Sequence, residues 1–162
     1  MELNTRGRYA VMAMADIASS AVDGRDSGAV PLAQIAQRQR LPMAYLEQLF
    51  GKLRGAGLVC SVRGRGGGYR LARAAELIAV AEILDAVEER VRMTRCMVRD
   101  DGAREDGGCV GHEQCITHGL WFALGRHIQS FLADVTLADI VLDRVPQAVR
   151  RNQASEVAAR HE

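Results

Sequence analysis

The sequence predicts a mainly α protein with one small β-hairpin, and three observations predict it. Aromatic residues make up only 4% of the 162, with alanine, leucine and arginine filling the chain in their place. Apolar residues recur at three- and four-residue intervals through most of the length, the spacing of one helix face. The stretch that breaks this rhythm, Leu58 to Leu71, sets two short β-prone runs around a glycine-rich turn.

Taken in order, Thr5 to Ser20 reads as a helix with Tyr9, Ala13 and Ile17 on one stripe and Ala10 and Met14 beside it. Asp23-Gly-Arg-Asp-Ser-Gly28 is a loop. Pro31 opens a short helix with Leu32, Ile35 and Ala36 inward, and Pro42 opens a third. In that third helix Leu46, Leu49, Phe50 and Leu53 must pack inward, leaving Ala44, Glu47, Gln48, Gly51 and Lys52 facing out. Gly55 and Gly57 end it. Leu58 to Val62 and Tyr69 to Leu71 then form the two strands, with Arg63-Gly-Arg-Gly-Gly-Gly68 between them. Helix, helix-turn-helix and hairpin is the order of a winged helix, whose third helix enters the major groove while the wing reaches toward backbone or minor groove.

Further on, Val80, Ile83, Leu84 and Val87 mark a linking helix. Trp121, Leu124, Ile128, Phe131 and Val135 repeat at 3, 4, 3, 4, a heptad seam that Leu120 and Leu132 widen. Such a seam is either an internal core element or a dimer interface. An operator reader gains from two half-sites, so a homodimerisation helix is expected. Thr136 to Leu142 adds one short helix. The expected organisation is a winged helix-turn-helix DNA-binding domain (1–75), a linking helix (76–93), a ligand segment (94–118), the dimerisation and short C-terminal helices (119–142), and a disordered tail (143–162).

Charge divides along the same line. Residues 1–73 hold eleven Lys and Arg against five Asp and Glu, net +6, and the remainder holds ten against fifteen, net −5. A basic front half points to a polyanion, here double-stranded DNA. Gln48 has an amide suited to adenine, and Lys52 reaches phosphate or guanine. Glu47 belongs on such a face if it accepts from a cytosine amine or penalises wrong sequences; otherwise it is a solvated helix charge. Arg63 and Arg65 flank glycines that let backbone and DNA approach closely. Tyr45, Gly66, Gly67 and Tyr69 complete the candidate DNA-facing set.

Four residues in the acidic half carry different chemistry. Cys96, Cys109, Cys115 and His118 gather in a glycine-rich stretch, and Cys115 and His118 lie three apart, so on a first helical turn both leave one face. Three thiolates and an imidazole suit a closed zinc site or an iron-sulfur cluster. Twelve residues separate Cys96 from Cys109 and five separate Cys109 from Cys115. These gaps are wider than zinc knuckles use and favour a cluster. Cys60, on a wing strand, reads as core packing. His112 competes with His118, but the helical register with Cys115 favours His118.

Other function classes fit poorly. The glycine run lacks the Lys-Ser/Thr ending of a phosphate loop and follows a strand of a hairpin. No nucleophile, base and orienting group are legible together, so an enzyme is not expected. The amino terminus has no apolar h-region and no run approaches a membrane span, so a cytoplasmic protein with reduced thiols and no membrane partner is expected.

Several segments also carry a resemblance. Leu3-Asn-Thr-Arg-Gly-Arg-Tyr-Ala-Val11, Tyr45-Leu-Glu-Gln-Leu-Phe50, Leu58-Val-Cys-Ser-Val-Arg-Gly-Arg-Gly-Gly-Gly-Tyr69, Thr94-Arg-Cys96 and Cys115-Ile-Thr-His-Gly-Leu-Trp121 resemble the IscR family of iron-sulfur cluster regulators, winged-helix transcription factors of the Rrf type. The resemblance covers about residues 1–142. It implies a homodimer that binds one 2Fe-2S cluster per subunit through Cys96, Cys109, Cys115 and His118 and represses or tunes genes of cluster assembly. It also implies DNA contacts at Glu47, Gln48 and Arg63, and the cluster-assembly machinery as donor. Three departures stand out. The Cys96–Cys109 interval is longer than the family's, a change worth only ~0.7 kcal/mol of loop closure. Arg65 stands where a proline is usual, and Ala44 stands in place of a serine. A structural-zinc regulator and a cluster carrier or scaffold are the alternative readings.

Overall fold

The computed structural model describes residues 5–22, 28–89 and 116–145. Helix α1 spans Thr5–Val22, α2 Leu32–Gln39 and α3 Met43–Gly55; strands β1 (Val59–Val62) and β2 (Gly68–Leu71) follow, then a 3-10 turn (Ala75–Leu77), α4 (Val80–Ala86), α5 (His118–Asp134) and α6 (Leu137–Val141).

Helix α1 buries Ala10, Ala13, Met14, Ile17 and Ala18, the i, i+3, i+4, i+7, i+8 set of one continuous face. Its alanines let neighbours come close. At Gly7 the approach is tighter still: a Cβ there would sit 2.8 Å from Leu84 on α4 and from Glu89 just beyond it. Pro31 and Pro42 precede α2 and α3 in extended conformation, where the absent N–H costs nothing. Leu46, Leu49, Phe50 and Leu53 of α3 are buried as the spacing predicts.

The α1–α2 packing is fastened by a buried carboxylate. Asp16, its side chain 4% exposed, accepts from Arg38 Nη2, from Arg38 Nε at 3.2 and 3.1 Å and from Gln39 Nε2 at 2.7 Å. Hydrogen bonding to Asp16 raises the Arg38 pKa further above its ordinary value, against the opposing effect of burial.

Strands β1 and β2 pair antiparallel, Val59 with Leu71 through Val62 with Gly68. A third segment joins them: Val30 exchanges both backbone hydrogen bonds with Tyr69, at 2.8 and 2.9 Å. Leu58 N–H reaches back to Leu53 O at 3.0 Å, so the hairpin is anchored to the end of α3.

The core of the front half does not stop at residue 75. Ile78, Ile83, Val87 and Leu137 belong to the same buried cluster as α1, α2 and α3. Residues 78–80 and 135–137 are stitched by an Ala79–Thr136 bridge and by Val80 N to Val135 O and Leu137 N to Ile78 O, each 2.9 Å. Helix α6 starts with a reciprocal cap: Thr136 Oγ1 accepts from Asp139 N at 3.2 Å and Asp139 Oδ2 from Thr136 N at 3.1 Å. Val135, assigned by periodicity to the heptad seam, is instead buried within the subunit against Val80 and Leu84. The heptad count ran one step past the helix, whose last residue is Asp134.

Three helices, α2, α4 and α6, end in left-handed residues that are not glycine: Arg40, Glu88 and Asp143, at φ 54, 58 and 52.

Candidate nucleic-acid interface and metal-ligand segment

The outward side of α3 is built by its own inward leucines. With Leu46, Leu49, Phe50 and Leu53 fixed in the core, Ala44, Glu47, Gln48, Gly51 and Arg54 are exposed. Tyr45 is half-buried and packs edge-on against Tyr9, ring centroids 5.8 Å apart. Lys52 is not a free cation: its Nζ donates to Glu88 Oε2 at 2.7 Å. That ammonium holds the Glu88 carboxyl below the usual carboxylate range.

At the tip of the wing Arg63, Arg65 and Gly66 are exposed. The glycines here serve the backbone first. Gly64 and Gly66 are left-handed, at φ 105 and 80, and Gly67 closes the turn by donating to Gly64 O at 2.9 Å. Tyr69, expected to face DNA, spends its ring on Phe50, centroids 4.8 Å apart, and its backbone on Val30. Two further cations, Arg54 on the last turn of α3 and Arg70 on β2, are exposed on these same elements. The charge count contained both, but no motif singled them out. Cys60 is half-buried on β1, opposite Arg70 in the register.

Of the four candidate metal ligands, Cys96, Cys109 and Cys115 lie outside the described residues, as does His112. His118 is the first residue of α5. Its ring lies parallel to that of Phe122, centroids 6.2 Å apart. Among the described residues its Nδ1 is the buried side-chain nitrogen or oxygen left without a hydrogen-bond partner. An orphaned imidazole nitrogen is costly unless something accepts its proton or takes its lone pair. A metal does the latter, so the residue suits the donor set read from the sequence.

Among the described residues, helix α5 beyond His118 is covered mainly by α4. Trp121, Leu124 and Ile128 are only half-buried, and Leu120, Phe122 and Phe131 are exposed. Ile116, just before the helix, is fully exposed. No helix of the described residues is long and apolar enough to cross a membrane.

A family model described as an iron-dependent transcriptional regulator, Rrf2, matches residues 3–143. The chain belongs to the Rrf2 family. Within it, the chain is 45% identical over 156 residues to the HTH-type transcriptional regulator IscR of Cronobacter sakazakii, covering 96% of this chain and 90% of that one. It is likewise 45% identical over 158 residues to IscR of Aliivibrio salmonicida, covering 98% and 88%. Among solved structures, IscR of T. potens superposes with a TM-score of 0.67 at 35% identity over 88% of both chains. CymR, the global cysteine regulator of B. subtilis, gives 0.69 at 29% over 87% of this chain and 96% of its own. These Rrf2 relatives are transcriptional regulators, not enzymes, and their winged-helix architecture is the one described above.

Proposed function

We propose that this Rrf2 protein is a homodimeric regulator that binds promoter operators and senses iron-sulfur supply through one 2Fe-2S cluster per subunit, tuning genes of cluster assembly in the cytoplasm. Cys96, Cys109, Cys115 and His118 would hold the cluster, received from the assembly machinery. The observation that carries this reading is the orphaned, buried Nδ1 of His118, three residues after Cys115 at the start of a helix whose apolar side the described residues leave largely open. When bound, the cluster supplies one-electron redox chemistry and sensitivity to oxidants.

The protein's own residues do the rest. Gln48 reads base edges, Arg63 and Arg65 neutralise phosphates, and Glu47 screens sequences by repelling those that offer no donor. Trp121, Leu124, Ile128 and Phe131 face a second copy, which sets the distance between two recognition helices. His118 sits on the first turn of the same helix that carries this seam, so ligation and dimer geometry act on one rigid element.

The test is anaerobic purification followed by a visible spectrum and quantification of iron, acid-labile sulfide and zinc. About two irons and two sulfides per chain, lost on His118→Ala or Cys109→Ala without loss of helical signal, is the expected result. One zinc without sulfide would refute the cluster and leave a zinc-stabilised regulator. Cluster transfer with no salt-dependent DNA affinity would mark a carrier.

A further inference from the structure

The end of α4 carries a carboxylate where helix geometry favours a residue with no side chain. The helix closes by a paired reversal, Glu89 N to Leu84 O and Glu88 N to Asp85 O, both 2.9 Å, a motif whose left-handed residue is usually glycine. Here that residue is Glu88, at φ 58. A strained position that keeps a bulky side chain calls for something the side chain does. Arg40 and Asp143 hold comparable positions, but of the three it is Glu88 whose side chain forms an ion pair with the recognition helix, accepting from Lys52 Nζ at 2.7 Å. The turn is also held in place, because Leu84 and Glu89 press on Gly7 of α1 with no room for a Cβ.

We propose that Glu88 is an intramolecular stand-in for a DNA phosphate on Lys52, lowering the affinity of α3 for any duplex and displaced when DNA binds. This rests on α3 being the DNA-facing helix. A lysine ammonium is a compact point charge that pairs with carboxylate or phosphate without geometric preference. Both partners are solvent-accessible, with Lys52 37% and Glu88 73% exposed, so exchange needs no unfolding. Binding trades one pair for the other and leaves a bare carboxylate beside the duplex, which must recruit a cation from solution. Glu88 therefore acts uniformly across sequences and reduces net counterion release.

The experiment titrates a labelled duplex of arbitrary sequence with the full chain, Glu88→Gln, Glu88→Gly, Lys52→Gln and the double variant Lys52→Gln/Glu88→Gln across a salt series. Both Glu88 variants are expected to bind about two- to fivefold tighter at low salt, the scale of an exposed ion pair, with a log–log salt slope steeper by about one. The gain disappears in the Lys52→Gln background. Glu88→Gly suits the left-handed backbone and keeps the test open if glutamine disturbs the turn. An equal gain without Lys52 would show bulk charge removal and overturn the proposal while leaving the interface intact, and no gain at all would do the same. A parent chain without salt-dependent duplex binding would overturn the interface and the proposal together.

Discussion

Replacing Gly68 by alanine tests how the wing is attached. A Cβ at that position would lie 2.6 Å from Pro31 N and closer still to the Val30 carbonyl. Real Cβ atoms stay beyond about 3.0 Å, and these obstacles are backbone, so β2 or the Val30–Pro31 segment has to move. The displacement is 3.0 − 2.6 = 0.4 Å from Pro31 N and more from Val30. It falls on the two hydrogen bonds between Val30 and Tyr69, now 2.8 and 2.9 Å, which weaken as they stretch past about 3.2 Å. Each is worth about 1 kcal/mol net. The Phe50–Tyr69 ring contact, worth about 0.5–1.5 kcal/mol, moves with them. The expected loss is therefore about 2–4 kcal/mol, read from equilibrium urea unfolding at fixed protein concentration. Two controls bracket it. Gly66→Ala has open space but φ 80 and should cost about 1–2 kcal/mol. Gly51→Ala, in open space on α3, should stabilise by roughly 0.5–1 kcal/mol. A Gly68→Ala variant no weaker than Gly66→Ala would refute the close-approach argument.

Asp16→Ala removes the carboxylate that ties α2 to α1 and should cost about 2–3 kcal/mol, at or below the foot of the range of about 3–5 kcal/mol for breaking a buried pair, because Arg38, 43% exposed, can rehydrate; the urea midpoint measures it. Ile128→Glu buries a charge in the proposed dimer seam and should give folded monomers by sedimentation, whereas an unchanged dimer would place the interface elsewhere. Glu82 accepts from Arg73 Nη2 at 2.8 Å and from Ala79 N at 3.0 Å, which together hold its carboxyl below the ordinary 4.5. A lowered folded-state pKa contributes stability that is complete above about pH 4.5 and is lost as pH falls through the folded value. Glu82→Gln should accordingly flatten the acid side of a melting-temperature profile, and an unchanged acid limb would count against this pair.

Periodicity made α1, α3, the hairpin and α6 legible to within one or two residues at most ends, because each is written in local spacing and in the placement of proline and glycine; the linking helix, expected over 76–93, is shorter, because α4 starts at Val80 and closes at Ala86. Long-range pairing was not legible. Nothing near Asp16 announces that Arg38, twenty-two residues on, will meet it, and nothing in the helical spacing of α3 shows that Lys52 is already engaged by Glu88. Tyr69 illustrates a subtler limit: an aromatic on a basic wing reads as a DNA contact, and only the crossing of β2 over Val30 reveals that its ring belongs to Phe50. Val135 fits the heptad arithmetic, yet backbone pairing with Val80 turns it into the subunit. For the proposed metal-ligand set, sequence spacing offered four candidates, of which three lie outside the described residues, and the structure adds the unmatched nitrogen of His118.

The stitch between residues 78–80 and 135–137 has an evolutionary meaning. It pins residues 78–80 and 135–137 to one another through backbone, so the start of α4 and the segment that follows α5 are held in one fixed pair of sockets. Neither socket includes the interval between Cys96 and Cys109, so a change in its length leaves this backbone pairing its own partners. A fold arranged this way tolerates change in the chain between its sockets while the pairing that holds the two ends stays constant.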